Sequence, residues 1–357
     1  MIDNPSLKRM CSLNVNCNLA WEKSPNLVAF PHGWQFPAKT EAWVYEQCLR
    51  CVVASPFYEL VCFPWATLVD LQRKGIDDKT LVFTRALSFA PPCRSLIRAT
   101  VCQHIYANDL LPWFNTLKIT DVFWSHATVN TTTDFDGIRV HPFPLYPVRC
   151  EVDGSVVEQV GKSLHTRRFI YSFIGTYSEG LYLTPVRQWI FDLPKSSDGF
   201  IEYRGEWHFE KVVYREQIIG QSVSVMDRQR TEQYEKDYTD VMRESVFCLC
   251  PSGAGPNSIR LWESLGFGCI PVLLADTLRL PGPADEWERA IVRLPETPQA
   301  VAGLPTVLRD IAANPERLSA MQAAGRVLWK RYGENGPLSI LGDLARRDWM
   351  LRQTKIK

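Results

Sequence analysis

The residues best suited to chemistry form a turn of small side chains in the C-terminal half of the chain. The run Ser252–Pro256 (SGAGP) stands there, directly before a helical pattern. Because these side chains are small, backbone N–H groups can approach a ligand closely. Asn257 or Ser258 then offers an N-cap for a helix, whose unpaired amides and dipole attract an anion. The pattern predicts a site for a phosphate or diphosphate group.

Two charged side chains follow within the same helical pattern. Arg260 and Glu263 are three residues apart, so they project on the same side of the helix. An arginine binds phosphate oxygens through paired hydrogen bonds, and a carboxylate can accept hydrogen bonds from both hydroxyls of a ribose. The spacing therefore indicates a nucleotide diphosphate. The alternative is an ion pair on a solvated helix face.

A second interpretation of the same turn is a dinucleotide site. Gly253 and Gly255, with Asp276 at the end of the next strand, imitate the fingerprint of nicotinamide-dependent dehydrogenases. Ser258 stands where that fingerprint has its third glycine, which weakens this interpretation. A third alternative is a sugar- or nucleotide-binding module that has lost catalysis.

The elements that must position this turn are strands alternating with helices. Phe247 to Asp276 predicts a strand, the turn, a helix and a second strand. Other strands are expected at 60–63, 80–84, 121–124, 138–143 and 169–174, and helices at 41–51, 65–74, 185–191 and 298–332. This alternation favours an α/β architecture with parallel sheets in two doubly wound domains that face each other across a cleft. The expected division is 1–155, 156–336 and a C-terminal helix in 337–357 that packs back on the first domain.

Composition excludes several classes of protein. Forty basic and 39 acidic residues give a net charge of +1, which argues against a nucleic-acid binder. Eleven cysteines, an odd number with several members in apolar stretches, favour free buried thiols over disulfides, and we expect no zinc site. No signal peptide is apparent, and Pro56, Glu59 and Pro64 interrupt the most apolar stretch. We expect a cytoplasmic protein, with peripheral membrane contact as an option.

Two runs around the glycine turn resemble the exostosin family of glycosyltransferases. They are RESVFCLCPSG, from Arg243 to Gly253, and SIRLWESLGFGCIPVLL, from Ser258 to Leu274. A weaker match is RFIYSFIG, from Arg168 to Gly175, followed by Arg187. The resemblance covers roughly residues 165 to 330, whereas the N-terminal half matches loosely.

The resemblance implies a GT-B fold of two Rossmann-like domains, a UDP-sugar donor and inversion at the anomeric carbon. Carried over by position, Arg260 would contact the diphosphate and Glu263 the ribose. The phosphate turn would comprise Ser252, Gly253, Asn257 and Ser258. Gly175 would leave room for the donor, and Arg187 would neutralise phosphate. The acceptor would be a glycan or a lipid-linked glycan, in the synthesis of a surface polysaccharide.

Sugar transfer of this kind sets two further expectations. Backbone amides, a helix dipole and Arg260 can stabilise the leaving diphosphate, so we expect no cofactor and no essential metal. An inverting enzyme also needs a general base, expected on loops after strand ends of the first domain. His126 is the first candidate, and Asp134 and Asp136 are the others. The alternative is that His126 caps the strand and both aspartates are solvated turn residues. We expect His104 and His141 to be structural.

Overall fold

The computed structural model describes residues 19–50, 58–93, 95–131, 135–150, 163–205 and 210–342. The chain divides into two compact units. The first comprises residues 1–143, 211–222 and 337–357, and the second comprises 144–210 and 223–336. Residues 336–342 are helical, and the remainder of the expected C-terminal helix lies outside the described residues.

This division differs from the expected one in residues 211–222, which were assigned to the second domain. Their contacts explain the difference. Ile218 is buried in the apolar core of the first unit, and its carbonyl accepts a hydrogen bond from Lys79 Nζ at 2.8 Å. The Gln217 side-chain oxygen accepts one from the Phe36 amide at 3.0 Å. The first boundary also falls earlier, because Arg149 and Cys150 contact Glu263 of the second unit.

The first unit is built on a sheet whose described strands lie side by side in chain order. The hairpin β1–β2 is antiparallel, and every later pair is parallel. The strands are β1 (Glu22–Ser24), β2 (Leu27–Ala29), β3 (Tyr58–Cys62), β4 (Ile97–Cys102), β5 (Asp121–Trp124) and β6 (Arg139–Pro142). The helices are α1 (Thr40–Arg50), α2 (Trp65–Arg73), α3 (Asp77–Ser88) and α4 (Leu111–Thr116), with short helical turns at Ala107–Leu110 and Glu210–Ile219.

The strand expected at 80–84 is wrong, because this segment lies inside helix α3. The apolar run Leu81–Phe83 is short enough to suit either structure. The flanking residues decide it: Asp77 and Asp78 occupy the first turn, where carboxylates favour a helix. Phe83, Ala86 and Leu87 then bury one helix face at the spacing i, i+3, i+4.

The second unit has a sheet of parallel strands in the order β11-β10-β9-β7-β8. The strands are β7 (Phe169–Gly175), β8 (Gly199–Tyr203), β9 (Ser245–Pro251), β10 (Ile270–Leu274) and β11 (Val292–Arg293). The helices are α5 (Val186–Phe191), α6 (Val225–Arg243), α7 (Ile259–Gly266), α8 (Ala284–Ala290), α9 (Pro298–Ala312) and α10 (Pro315–Leu328), with helical turns at Leu164–Thr166 and Trp329–Glu334.

Strand order reverses once in this second sheet, between β7 and β9. The chain runs from β7 outward to β8, then crosses to β9 on the other side of β7. The register pairs Tyr171 with Phe247, so β7 and β9 end at the same sheet edge, at Gly175 and Pro251. Such a reversal leaves a crevice outside the strand ends, where ligands of α/β proteins bind.

Three negative observations concern the described residues alone. None of their eight cysteines is in a disulfide. No group of three or more His, Cys, Asp and Glu side chains among them could hold a metal ion. Within the same ranges, the helices are too short or too polar to span a bilayer.

Candidate anion-binding site

The predicted strand, turn and helix are present, as β9, the turn at 252–258 and α7. Ser258 occupies the N-cap with extended backbone, and its carbonyl accepts the Leu261 amide at 3.0 Å, but its hydroxyl makes no capping bond. Asn257 Oδ1 accepts a hydrogen bond from Trp262 Nε1 at 3.0 Å. The side chain of Asn257 therefore fixes the turn onto the helix.

Helix α7 is buried on every side, so the solvated-ion-pair alternative is wrong. The exposed fractions of Arg260 and Glu263 are 9% and 3%. They bind different partners. Arg260 Nη2 donates to the carbonyl of Ile174 near the end of β7, and the guanidinium lies 4.6 Å from the Phe173 ring centroid. Arg260 Nε is buried and finds no hydrogen-bond partner among the described residues.

A second buried guanidinium, that of Arg187 on α5, joins the two strand ends at the reversal. Its Nε donates to the Ser252 carbonyl at 2.8 Å, and its Nη1 donates to the Thr176 carbonyl at 3.2 Å. It lies 4.6 Å from the Tyr182 ring centroid and 5.8 Å from that of Phe173. Burial, reinforced by the positive charge of Arg260, lowers the pKa of Arg187 to about 10.

These two arginines form the site that we call the arginine pair, Arg187 and Arg260. Both pack against Phe173, and no carboxylate of the described residues forms an ion pair with either of them. Glu263 interacts electrostatically with Arg260, although no ion pair between them is formed. Burying two neighbouring positive charges is costly, and an anion at the crevice would neutralise both. The pair is therefore our candidate for an anion site at the strand reversal, beside the N-terminus of α7.

Gly253 is required by the close approach of the arginine pair. A Cβ at this position would lie 2.9 Å from Arg187 Nη2 and 3.4 Å from Tyr182 Cε1. Its amide donates to the Gly255 carbonyl at 2.9 Å, which closes the turn. At Gly175, a Cβ would meet the Phe173 ring at 2.9 Å, which is one reason for glycine there. That Gly175 also leaves room for the donor stays a prediction.

Glu263 is held on both carboxylate oxygens by its own unit. Oε1 accepts the Arg149 amide at 2.9 Å, and Oε2 accepts the Tyr238 hydroxyl at 2.7 Å. Burial raises the pKa of Glu263, against the effect of these hydrogen bonds and of Arg149 and Arg260. Each oxygen keeps a second lone pair, so the ribose contact stays a prediction. No local sequence signal indicated Arg149 or Tyr238, which are remote in the chain.

The hydroxyl of Ser252 is engaged by a carboxylate that the sequence did not reveal. It donates to Glu296 Oε1, which also accepts the Thr184 hydroxyl at 2.9 Å. Glu296 Oε2 accepts the Asp276 amide at 3.0 Å, and the Asp276 carboxylate accepts the Glu296 amide at 3.1 Å. Asp276 thus closes a reciprocal pair of bonds between the ends of β10 and β11.

The first unit places His126 just beyond β5, buried with 7% exposure. Burial, with a smaller contribution from His104, lowers the pKa of His126 to about 3. The imidazole is therefore unprotonated at neutral pH, as a base must be, but its low pKa gives little driving force for proton transfer. His104 Nε2 lies 3.2 Å from Asp70 Oδ1, and His104 Nδ1 accepts the Tyr106 amide at 3.1 Å.

Of the two aspartates proposed as alternative bases, the structure describes Asp136 but not Asp134. Asp136 is exposed and has a φ of 54°, followed by Gly137 at 84°, in a tight turn bridging Phe135 and Ile138. This pair of positive φ values is typical of an Asp-Gly hairpin turn. Asn115 Nδ2 donates to Asp136 Oδ2 at 3.1 Å. Asp134 lies outside the described residues.

Comparison with known families bears directly on this site. The Exostosin GT47 domain matches residues 130–310, about half of the chain. The chain belongs to the exostosin GT47 family. The match includes both arginines, the glycine turn and Glu263, so the expected resemblance is confirmed where the anion site lies. The two sheets of mainly parallel strands agree with the Rossmann-like domains of the expected GT-B fold.

Individual exostosin relatives share about a quarter to a third of the chain. Exostosin-1 of Drosophila melanogaster is 36% identical over 107 residues, which are 30% of this chain and 14% of that protein. A probable glucuronosyltransferase of Oryza sativa subsp. japonica is 42% identical over 116 residues, 31% of this chain and 28% of that protein. A probable β-1,4-xylosyltransferase of Arabidopsis thaliana is 40% identical over 94 residues, which are 24% of this chain and 23% of that protein. The matched segment thus spans less than a third of each relative.

Proposed function

We propose that this exostosin-family chain is a glycosyltransferase that moves a sugar from a nucleoside diphosphate sugar, a UDP-sugar, to a glycan. The observation that carries the proposal is the arginine pair, two buried guanidiniums at the strand reversal without a carboxylate partner among the described residues. A diphosphate supplies the two negative charges that this arrangement lacks.

The arginine pair would act mainly in the transition state. Negative charge grows on the diphosphate as the bond to the sugar breaks, and fixed positive groups stabilise it best when already in place. Arg187 is fixed by the Ser252 and Thr176 carbonyls, and Arg260 by the Ile174 carbonyl. The N-terminus of α7 adds amides and a positive dipole end. Two guanidiniums and this helix end are the basis for proposing metal-independent transfer.

Inversion requires a base on the acceptor side, which we propose is supplied by the first unit. His126 stays the first candidate because it follows a strand end and is unprotonated at neutral pH. If His126 is the base, His126→Gln lowers kcat by about 10²–10⁴-fold and leaves UDP affinity unchanged. If His126 serves packing alone, His126→Gln lowers the melting temperature and leaves kcat within a few fold of the wild type.

The acceptor and pathway are proposed on the family. The rice and Arabidopsis relatives bear the names of probable glucuronosyl- and xylosyltransferases. We therefore propose a polysaccharide acceptor and UDP-glucuronic acid or UDP-xylose as the first donors to assay. In such a reaction, the acceptor hydroxyl attacks the anomeric carbon and gives its proton to the general base. The bond between that carbon and the diphosphate breaks, and UDP leaves with the bonding electrons.

The test is a donor screen with two readouts. UDP release is measured for UDP-, GDP- and ADP-sugars, with and without oligosaccharide acceptors. Acceptor-stimulated UDP release with inverted product supports the proposal. UDP binding without release under any condition would instead support the inactive binding module. A fluorescence change with NADH and no UDP binding would restore the dehydrogenase interpretation, which family membership disfavours.

A further inference from the structure

The carboxylate of Glu296 touches two segments that build the anion site, although it follows β11 and lies far from them in sequence. Its Oε1 accepts hydrogen bonds from the hydroxyls of Ser252 and Thr184. Ser252 opens the glycine turn, and Thr184 stands two residues before helix α5. One oxygen atom therefore joins the turn to the start of the helix that carries Arg187.

The same two segments also meet through Arg187 and through backbone. Arg187 Nε donates to the Ser252 carbonyl, and the Leu183 amide donates to the Gly253 carbonyl at 2.9 Å. Thr184 Oγ1 additionally accepts the Val186 amide at 3.4 Å, at the first residue of α5. Moving Ser252 or Thr184 would therefore move the guanidinium of Arg187 relative to the turn.

Glu296 is itself held in place. Its Oε2 accepts the Asp276 amide, and its own amide donates to the Asp276 carboxylate. These bonds tie the ends of β10 and β11 together, so the carboxylate is fixed to the rigid sheet. A charged acceptor forms stronger hydrogen bonds with hydroxyls than a neutral one, which suits a device that must hold two loops at once.

We propose that Glu296 is a positioning residue for the donor diphosphate: it clamps Ser252 and Thr184 so that the glycine turn and Arg187 keep their binding geometry. This inference rests on the proposed function for its ligand. Glu296 does not touch the diphosphate in this account, because its Oε1 is occupied by the hydroxyls of Ser252 and Thr184. The Ser252 hydroxyl accordingly serves the clamp, and the turn offers backbone amides to the ligand.

The experiment compares affinity with stability in matched variants. Glu296→Ala is expected to raise the Kd for UDP and for inorganic pyrophosphate by about tenfold, the effect of one charged hydrogen-bond acceptor. Glu296→Gln, which keeps one acceptor oxygen for both hydroxyls, is expected to recover most of that loss. The control is Asp198→Asn, because Asp198 also accepts a serine hydroxyl but lies just before β8, at the opposite sheet edge. That variant should leave both Kd values unchanged.

A double-mutant cycle separates positioning from general stability. If Glu296 acts through Ser252, the effects of Glu296→Ala and Ser252→Ala on Kd overlap. The Kd of the double variant is then no higher than that of Glu296→Ala alone. Unchanged Kd in Glu296→Ala, or full additivity with Ser252→Ala, would overturn the clamp. Wild-type protein that binds neither UDP nor pyrophosphate would refute the proposed function instead. If Glu296→Ala does not fold, Glu296→Gln and Ser252→Ala decide the matter by the same measurements.

Discussion

The two sheets end in different ways at their carboxyl edges. In the first unit, the described strands keep chain order and two buried carboxyl groups are hydrogen-bonded by their neighbours: Glu41 accepts the Gln103 and Ala66 amides, and Asp70 contacts His104 and Gln35. In the second unit, the order reverses at β7 and β9, and the arginine pair lies there without a carboxylate partner among the described residues.

The difference shows how a ligand site can be recognised. Both edges bury charge or polar groups, so burial alone does not distinguish them. A buried group that is hydrogen-bonded by its neighbours is part of the fold, whereas buried like charges without an opposite charge require one from outside. By this criterion the candidate anion site belongs to the second unit, because the arginine pair has hydrogen-bond acceptors but no ion-pair partner among the described residues.

The largest expected effect comes from removing either member of the arginine pair. Arg187→Met or Arg260→Met should lower kcat/KM for the donor by about 10²–10³-fold, because charge stabilisation in the transition state is lost. Arg309→Met is the control, since Arg309 pairs with Asp198 on the surface of the same unit. Steady-state rates with a UDP-sugar provide the measurement. If Arg187→Met and Arg260→Met had the same kcat/KM as the control Arg309→Met, the donor would bind elsewhere.

The buried carboxyl groups of the first unit predict a pH dependence of stability. Burial raises the pKa of Glu41 to about 8, so the folded protein keeps a proton that the unfolded chain loses near pH 4.5. Stability must therefore fall as pH rises toward 8. His126 has the opposite effect, because its pKa is lowered to about 3 and stability therefore rises with pH up to 6.5. Above pH 6.5 this group adds no further change.

Between pH 6.5 and 8, the free energy of unfolding of the first unit should thus fall by about 1–2 kcal/mol. Hydrogen exchange at the Gln103 and Ala66 amides measures it, and Glu41→Gln should remove the slope. A free energy that stays constant through this window in the wild type would show that Glu41 is already ionised in the folded state.

A smaller effect is expected at the glycine turn. Gly253→Ala adds a methyl group 2.9 Å from Arg187 Nη2 and should weaken UDP binding by about tenfold as the guanidinium moves. Gly303→Ala is the matched control, because Gly303 lies inside α9 with no atom within 4 Å of a Cβ. It should stabilise the helix by up to about 1 kcal/mol. Calorimetric titration would contradict this account if both variants bound UDP like the wild type.

The smallest effect is expected at the exposed turn of the first unit. Asp136→Gly should change stability by no more than about 0.5 kcal/mol, because glycine adopts the positive φ of this position easily. It should leave kcat unchanged, since the turn alone explains an aspartate there. A loss of kcat of about 10²-fold or more with intact folding would make Asp136 the base after all.

Local pattern explains which features the sequence could reveal. The strand-turn-helix at Ser245–Gly266 was predictable, because apolar runs and small turn residues are adjacent there. Helix α6 was missed, since Met242 is the one side chain of it that is buried and no apolar stripe can be recognised. The Glu296 contact with Ser252 spans 44 residues and depends on strand order, which no local pattern encodes. Arg187 was suggested by family resemblance, but its pairing with Arg260 required the fold.

The most direct test of the central claim is a titration with inorganic pyrophosphate, which has neither base nor sugar. The wild-type protein should bind it and melt at a higher temperature with increasing ligand. The double variant Arg187→Met/Arg260→Met should show no shift, while Arg309→Met should behave like the wild type. Equal thermal shifts in the wild type and in the double variant would contradict the assignment of the diphosphate to the arginine pair.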